Sequence, residues 1–351
     1  MHRLMDNNRG YCASSQTEKI GFVRTMLMLM VVLYHSCVFW TEKWFILPVE
    51  IDNKSLDVFS IWLNTFHVHA FTLVSGYLFS YLKWDKGKYK DFKLFISNKA
   101  KRLLVPYVFI SVVWAIPIGQ VFYHYSIGEI LNQYALGTAP SQLWFLLMLF
   151  WCFIGAWLLS NAIEKSNIRP ILIAIGSFGI GFVGGLIFPN YFCIWTAFQY
   201  FPLFVLGMKL RHWNRLEQIP VLVYVALDVV LFVAWNITQG HESIILKLVT
   251  VGVGFALHVV GALMAWSVLQ WIGSRVRWQE NKVFMALSKS SMPMYLFHQQ
   301  IIYFMIYWLN GKVNPYIHAG INFIVALVCS FIISSVLMHW KVTRFLIGEK
   351  A

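Results

Sequence analysis

The stretch that decides the fold is FVRTMLMLMVVLYHSCVFW, residues 22–40, an apolar run that contains one arginine and one histidine. A helix needs about 20 mostly apolar residues to cross a bilayer, and this run is long enough. At a rise of about 1.5 Å per residue, Arg24 and His35 lie about 16 Å apart along the helix axis. The run therefore predicts a membrane-spanning helix with Arg24 at one rim of the membrane and His35 near its centre.

The rest of the chain has the same character. Its 351 residues are 59% hydrophobic and 12% charged, whereas a soluble domain carries roughly 25% charged residues. We expect an all-α, polytopic membrane helical bundle with about ten spans. They are predicted near residues 21–41, 58–82, 103–123, 142–162, 170–188, 194–209, 219–237, 246–271, 283–309 and 319–339. The polar first twenty residues lack the apolar stretch of a cleavable signal peptide, so the first span is expected to serve as an uncleaved signal anchor.

The basic residues predict the orientation. With the N-terminus in the cytoplasm, 23 of the 28 Lys and Arg residues fall in inner segments and four in outer ones. Cytoplasmic loops carry such an excess, so both termini are predicted to be cytoplasmic. The expected organisation is a cytoplasmic segment at 1–20, one transmembrane domain at 21–340 and a cytoplasmic tail at 341–351. Because the net charge of +13 lies in short loops, it does not indicate a nucleic-acid partner.

Ionisable residues inside apolar runs are candidates for function, because they are costly to bury in a membrane. His67 in the second predicted span and His298 in the ninth lie at a depth similar to that of His35. Three helices that each place a histidine at this depth predict a shared polar cavity. No carboxylate or cysteine stands close enough to favour a metal site, and no metal is predicted. Asp228 is the one acidic residue well inside an apolar run.

The predicted inner segment KWDKGKYKDFKLFISNKAKRLLVPY is rich in cations. Lys99 and Arg102 lie three residues apart, so on a helix they face the same side. Two interpretations stay open at this point: an orientation signal against anionic headgroups of membrane lipids, or a site for a nucleotide phosphate.

The order of these motifs resembles the acyltransferase 3 family. Arg24 and His35 match that family's first helix, and Phe66-His67 followed by Ser75-Gly76-Tyr77 match its second. The remaining matches are Lys99-x-x-Arg102 before LLVPY, Trp144-Phe145-Leu146 at the start of a later helix, and Tyr295-x-x-His298. Lys99 stands where the family has Arg, which keeps the charge but loses bidentate phosphate binding. His69 and Gln142 stand where relatives often have Pro and His.

The resemblance implies a membrane O-acyltransferase that moves an acyl group, most commonly acetyl, from cytoplasmic acetyl-CoA to a hydroxyl of a cell-surface glycan or glycan precursor. It implies a bacterial plasma-membrane location. His35 is the expected general base, with His67 and His298 as further catalytic candidates. The expected donor-binding residues are Arg24, Lys99, Arg102, Trp144 and Tyr295. Direct transfer, an acyl-histidine intermediate and assembly as a homo-oligomer all stay open.

Two other functions fit the same residues. A transporter or flippase of a glycan or lipid would use a histidine-lined cavity, with Asp228 carrying protons. A structural subunit of a glycan-assembly complex would need neither His35 nor Arg102 for chemistry.

Overall fold

The computed structural model describes residues 2–350, with side chains described throughout that range except at 2–19 and 214, and this part of the chain holds helices and no strand. The α-helices are α1 (His2–Cys37), α2 (Lys54–Asn64), α3 (His67–Ser80), α4 (Phe92–Ile110), α5 (Ile116–Tyr123), α6 (Ile127–Ile130), α7 (Trp144–Glu164), α8 (Arg169–Ile187), α9 (Ile194–Leu210), α10 (Asn214–Gln218), α11 (Val221–Thr238), α12 (Ile244–Gly273), α13 (Lys282–Leu309), α14 (Pro315–Leu337) and α15 (Lys341–Leu346). The predicted all-α polytopic bundle is confirmed.

Within residues 2–350, eight helical stretches are long and apolar enough to cross a membrane. Each overlaps one of the predicted spans. They are Ile20–Thr41, Phe92–Tyr123, Ser141–Glu164, Arg169–Ile187, Tyr191–Leu210, Val221–Thr238, Ile244–Gly273 and Pro315–Leu337. The stretch Phe92–Tyr123 is longer than the predicted span 103–123 because α4 already begins at Phe92. Helix α4 continues through a π-helical turn at Ser111–Ala115 into α5.

The two remaining predicted spans, 58–82 and 283–309, are not among these eight stretches. The first is broken at Thr65 and Phe66 into α2 and α3. The second is one helix, α13, but Ser, Lys, His and Gln side chains in its middle lower its hydropathy. Both elements are largely buried among the other helices. They carry His67 and His298. The polar residues of the candidate site therefore make these two spans look less like membrane helices.

Helix α3 packs directly on α9. A side chain on Gly76 of α3 would overlap the carbonyl of Phe204, and one on Gly207 of α9 would overlap the carbonyl of Leu73. Small residues at such positions let membrane helices approach closely. The pair of glycines therefore fixes α3, and with it His67, against the centre of the bundle.

Polar caps set where two site-bearing helices begin. The side chain of Asp91 accepts a hydrogen bond from the Leu94 amide at 2.6 Å, and α4 starts at Phe92. The side chain of Asn281 accepts from the amides of Val283 and Phe284, both at 3.0 Å, at the start of α13. Asp and Asn at this position satisfy amides that have no partner within the helix.

Candidate active site

A cavity of about 740 Å³ lies between α1, α3, α7, α9 and α13. We call it the main cavity. Most of its wall is aromatic or carries amide and hydroxyl groups. Its lining includes Arg24, Tyr34, His35, Trp44, His67, Phe71, Tyr123, Tyr125, Ser141, Gln142, Trp144, Phe145, Tyr200, Met292, Tyr295, Gln299 and Tyr303. A concave site with a few convergent polar groups of this kind is the usual form of a ligand-binding site.

Helix α1 brings Arg24 and His35 to the same cavity. Their separation of eleven residues is three turns of an α-helix, so both side chains point to one face. The apolar side chains between them pack into the bundle, and Leu27, Met28 and Val32 are almost fully buried. One helix therefore supplies a cation at one end of the cavity and an imidazole deep inside it.

His35 and His298 form a hydrogen-bonded pair. The Nδ1 of His35 lies 2.9 Å from the carbonyl oxygen of Val31 and 3.2 Å from the Nε2 of His298. The Nδ1 of His298 lies 2.7 Å from the carbonyl oxygen of Tyr295. A carbonyl only accepts, so the partners assign the proton to Nδ1 in both rings. His298 then accepts from His35, and the Nε2 lone pair of His35 is left to act on a ligand.

The three predicted catalytic histidines do not occupy equivalent places. His35 and His67 line the main cavity, whereas His298 has no exposed surface and lies behind His35. The ring of His67 lies 4.6 Å from that of Tyr34 between centroids, tilted by 32°, and its Nδ1 donates to the Leu63 carbonyl at 2.7 Å. Its Nε2 is therefore an acceptor in the neutral ring.

The break between α2 and α3 is held by a second histidine cluster outside the main cavity. The Nδ1 of His258 donates to the Thr65 carbonyl at 2.7 Å, and His258 stacks on His69 with centroids 3.9 Å apart. Asp228 accepts a hydrogen bond from the Trp62 indole at 2.8 Å. Freed backbone groups inside a membrane must find partners, which is the role of His258 here. Neither His69 nor Asp228 lines the main cavity.

The predicted cations come together at the inner end of the main cavity. Arg24, Lys99 and Arg102 line a smaller cavity of about 120 Å³, which we call the inner cavity. It shares Arg24, Phe71, Phe145 and Met292 with the main cavity. The Nζ of Lys99 lies 3.5 Å from the ring centroid of Phe153, a cation–π contact. The two cavities are therefore adjacent, with the cation cluster lining one and His35 lining the other.

The C-terminal tail contributes a carboxylate to the same rim. Helix α15 packs against α4. Burial raises the pKa of Glu349, and the nearby Arg102 and Arg24 guanidiniums oppose that shift. The Glu349 carboxylate therefore interacts with the charges of Arg102 and Arg24, and a phosphate in the inner cavity would compete with it for them.

Trp144 and Tyr295 lie in the main cavity rather than at the cation cluster. The hydroxyl of Tyr295 donates to the Gln142 carbonyl, and the Trp144 ring lies 5.5 Å from that of Tyr200 between centroids. As donor-binding candidates they stand where the acyl end of a donor would reach, not where its nucleotide would bind.

Sequence reasoning missed the polar residues that surround Gln142, in and behind the cavity wall. Gln142 and Gln300 pair through both amides, at 2.8 and 2.9 Å, and tie α13 to the start of α7. The Nε2 of Gln299 donates to the Ser141 hydroxyl at 2.9 Å and to the Tyr303 hydroxyl at 2.5 Å. Two adjacent amides inside an apolar run, as in LFHQQII, were the available signal.

The fold and the cavity define a multi-pass helical membrane protein with a histidine-bearing site between its helices. The acyltransferase 3 family model, described as an acyltransferase domain, matches residues 18–339. The chain belongs to this family and is a membrane acyltransferase. No curated protein and no solved structure shows a significant match to the chain. Among the residues whose side chains are described, no group of three or more His, Cys, Asp or Glu could hold a metal ion.

Proposed function

We propose that the chain transfers an acetyl group from cytoplasmic acetyl-CoA to a hydroxyl of a cell-surface glycan or glycan precursor, in a bacterial plasma membrane, with His35 as general base. One observation carries the proposal. Arg24 and His35 line the same cavity, and that cavity shares Arg24 with the inner cavity lined by Lys99 and Arg102.

The donor enters at the cation cluster. Its nucleotide phosphates pair with Arg102, Lys99 and Arg24, because guanidinium and ammonium groups form charge-assisted hydrogen bonds with phosphate oxygens. The pantetheine arm then extends about 16 Å along the route that Arg24 and His35 mark on α1. The thioester arrives beside His35, with Trp144 and Tyr295 against the acyl end.

The reaction is a direct transfer. The Nε2 of His35 takes the proton of the acceptor hydroxyl while that oxygen attacks the thioester carbon. The tetrahedral intermediate collapses, the carbon–sulfur bond breaks, and the departing thiolate takes the proton back from the imidazolium. The products are the ester and free CoA, so no other reactant is needed.

The neighbouring histidines then have different roles. His298 accepts the Nδ1 proton of His35 at 3.2 Å, which holds one tautomer and stabilises the imidazolium as it forms. His298 is a positioning residue, because it has no exposed surface from which to touch a substrate. His67 offers an acceptor nitrogen to the cavity, and we assign it the orientation of the acceptor.

The transporter alternative depends on Asp228, which is not part of this site. Asp228 is fully buried, accepts from Trp62 and does not line the main cavity. A proton-coupled mechanism that uses Asp228 therefore has no direct connection to His35.

The test is release of free CoA from acetyl-CoA by the purified full chain, followed chromatographically. We expect Arg102→Ala to raise the KM for acetyl-CoA by about tenfold, because one charge-assisted contact with phosphate, worth about 1.5 kcal/mol, is lost. Lys101→Ala is the matched control, because Lys101 lines a separate surface pocket. A chain that neither binds acetyl-CoA nor releases CoA would overturn the proposal and favour a transporter.

A further inference from the structure

The outer half of the main cavity has a wall of aromatic rings and hydroxyl groups next to His35. Trp44 lies 5.6 Å from the ring of His35 and 5.2 Å from that of Tyr303, between centroids. The Tyr303 ring lies 6.0 Å from that of Tyr123, which stacks on Tyr125 at 5.4 Å. These rings lie at the His35 end of the cavity, because Trp44 contacts His35, which is about 16 Å along α1 from Arg24.

Hydrogen-bonding groups are interleaved with the rings. Gln299 follows His298 on α13, lines the cavity, and holds the hydroxyls of Ser141 and Tyr303. Its Oε1 has no hydrogen-bond partner among the described residues, although the side chain is only 4% exposed. A buried amide oxygen that lacks a partner is costly, and a ligand hydroxyl would remove that cost.

The lining carries almost no formal charge. Among the residues that line the main cavity, Arg24 is the one Lys, Arg, Asp or Glu, and it lies about 16 Å from His35 at the inner end. A carboxylate or phosphate placed beside Trp44 and Gln299 would find no Lys or Arg among the residues that line this end of the cavity. Burying a charge without a partner is strongly unfavourable.

We propose that this outer half is an acceptor subsite for one uncharged pyranose ring, which packs against Trp44 while the Oε1 of Gln299 accepts a hydrogen bond from one of its hydroxyls. The proposal rests on the proposed function and adds the chemical class of the sugar that receives the acyl group. It excludes uronic acids and phosphorylated sugars as the acylated residue. The position of Gln299 makes it the specificity-determining residue, since it neighbours His298 in sequence and the aromatic wall in space.

The test uses the purified full chain, radiolabelled acetyl-CoA and two sets of probes: methyl hexopyranosides and the matching methyl hexuronosides. We expect label to enter a neutral glycoside, or the glycoside to inhibit CoA release. Either effect should need a concentration on the order of tenfold lower than for the uronoside. This ratio corresponds to a difference in binding free energy of about 1.4 kcal/mol. Gln299→Leu and, as a milder change, Tyr303→Phe should raise the glycoside concentration required. Gln279→Leu is the control, because Gln279 is exposed and lies outside the cavity.

Equal or better use of the uronosides would overturn the proposal. So would neutral glycosides that neither accept label nor change CoA release. Binding of acetyl-CoA is measured in the same samples and depends on the donor alone. If acetyl-CoA binds while the glycosides have no effect, the subsite fails and the proposed function stands; if acetyl-CoA does not bind, the proposed function fails.

Discussion

At the scale of single residues, the imidazole of His35 is held in a way that suits a general base. One ring nitrogen is fixed by an acceptor and the other is left free for the substrate. Here the acceptors are the Val31 carbonyl and the Nε2 of His298. The second ring is fixed in turn by the Tyr295 carbonyl at 2.7 Å. The free Nε2 of His35 thus has a defined direction before any substrate binds.

This arrangement predicts that His298 acts through His35. Replacing it by Leu removes one of the two acceptors of the Nδ1 proton and leaves the Val31 carbonyl. We expect kcat to fall by about 10²-fold, the lower end of general-base effects. The KM for acetyl-CoA should change little, because His298 does not line either cavity. His298→Gln keeps an acceptor and should restore part of kcat. Steady-state kinetics of both purified variants check this; equal losses in Leu and Gln would indicate a packing role instead.

The sequence predicted part of this residue-scale picture. Arg24 and His35 share one helix, so their spacing alone places them on one face at different depths. The contact of His35 with His298 joins residues 263 positions apart, and no local pattern reports it. Depth matching suggested a shared cavity for three histidines. It did not show that His298 would be enclosed behind His35.

At the scale of elements, the interruption between α2 and α3 does most to shape the site. A continuous span was expected at 58–82, because TF at residues 65–66 carries no proline or glycine signal. The chain breaks there because His258 of α12 donates to the Thr65 carbonyl and Asp228 of α11 binds Trp62. The break is therefore a tertiary effect that local sequence does not encode.

Close packing of α3 on α9 predicts a strong effect of small substitutions. In Gly207→Ala the new methyl group would overlap the Leu73 carbonyl, so we expect a loss of about 1–3 kcal/mol and a lower melting temperature. Gly179→Ala on α8 is the matched control, because no heavy atom lies within 4 Å of its added Cβ. Thermal unfolding in detergent measures both. Equal melting temperatures for the two variants would contradict the proposed packing constraint.

At the scale of the whole molecule, the proposed acyl transfer requires the two ends of the cavity to face opposite sides of the membrane. Arg102 and Lys99 mark one end, and the aromatic wall marks the other. The excess of basic residues predicts that the first end faces the cytoplasm. A donor and an acceptor can then meet at His35 without sharing an entrance.

This arrangement predicts which side of the membrane each loop faces. Cysteines introduced singly at two exposed sites, Lys90→Cys and Glu242→Cys, should label differently with a membrane-impermeant maleimide on intact cells. We expect reaction at 242 and none at 90 until the membrane is opened, because the loop that follows α11 is predicted to be outside. Labelling at 90 in intact cells would reverse the orientation and place the cation cluster on the wrong side for a cytoplasmic donor.

The proposed chemistry depends on His35 as the base for acyl transfer, and replacing this residue is the decisive experiment. Purified His35→Ala is compared with wild type for acetyl-CoA binding and for acetyl transfer, with His241→Ala as control because that histidine is exposed and outside both cavities. We predict that His35→Ala binds acetyl-CoA normally and that its rate of transfer falls by about 10²–10⁴-fold, the usual contribution of a general base. If His35→Ala transferred acetyl groups at an undiminished rate, with normal abundance and donor binding, His35 would not be the general base.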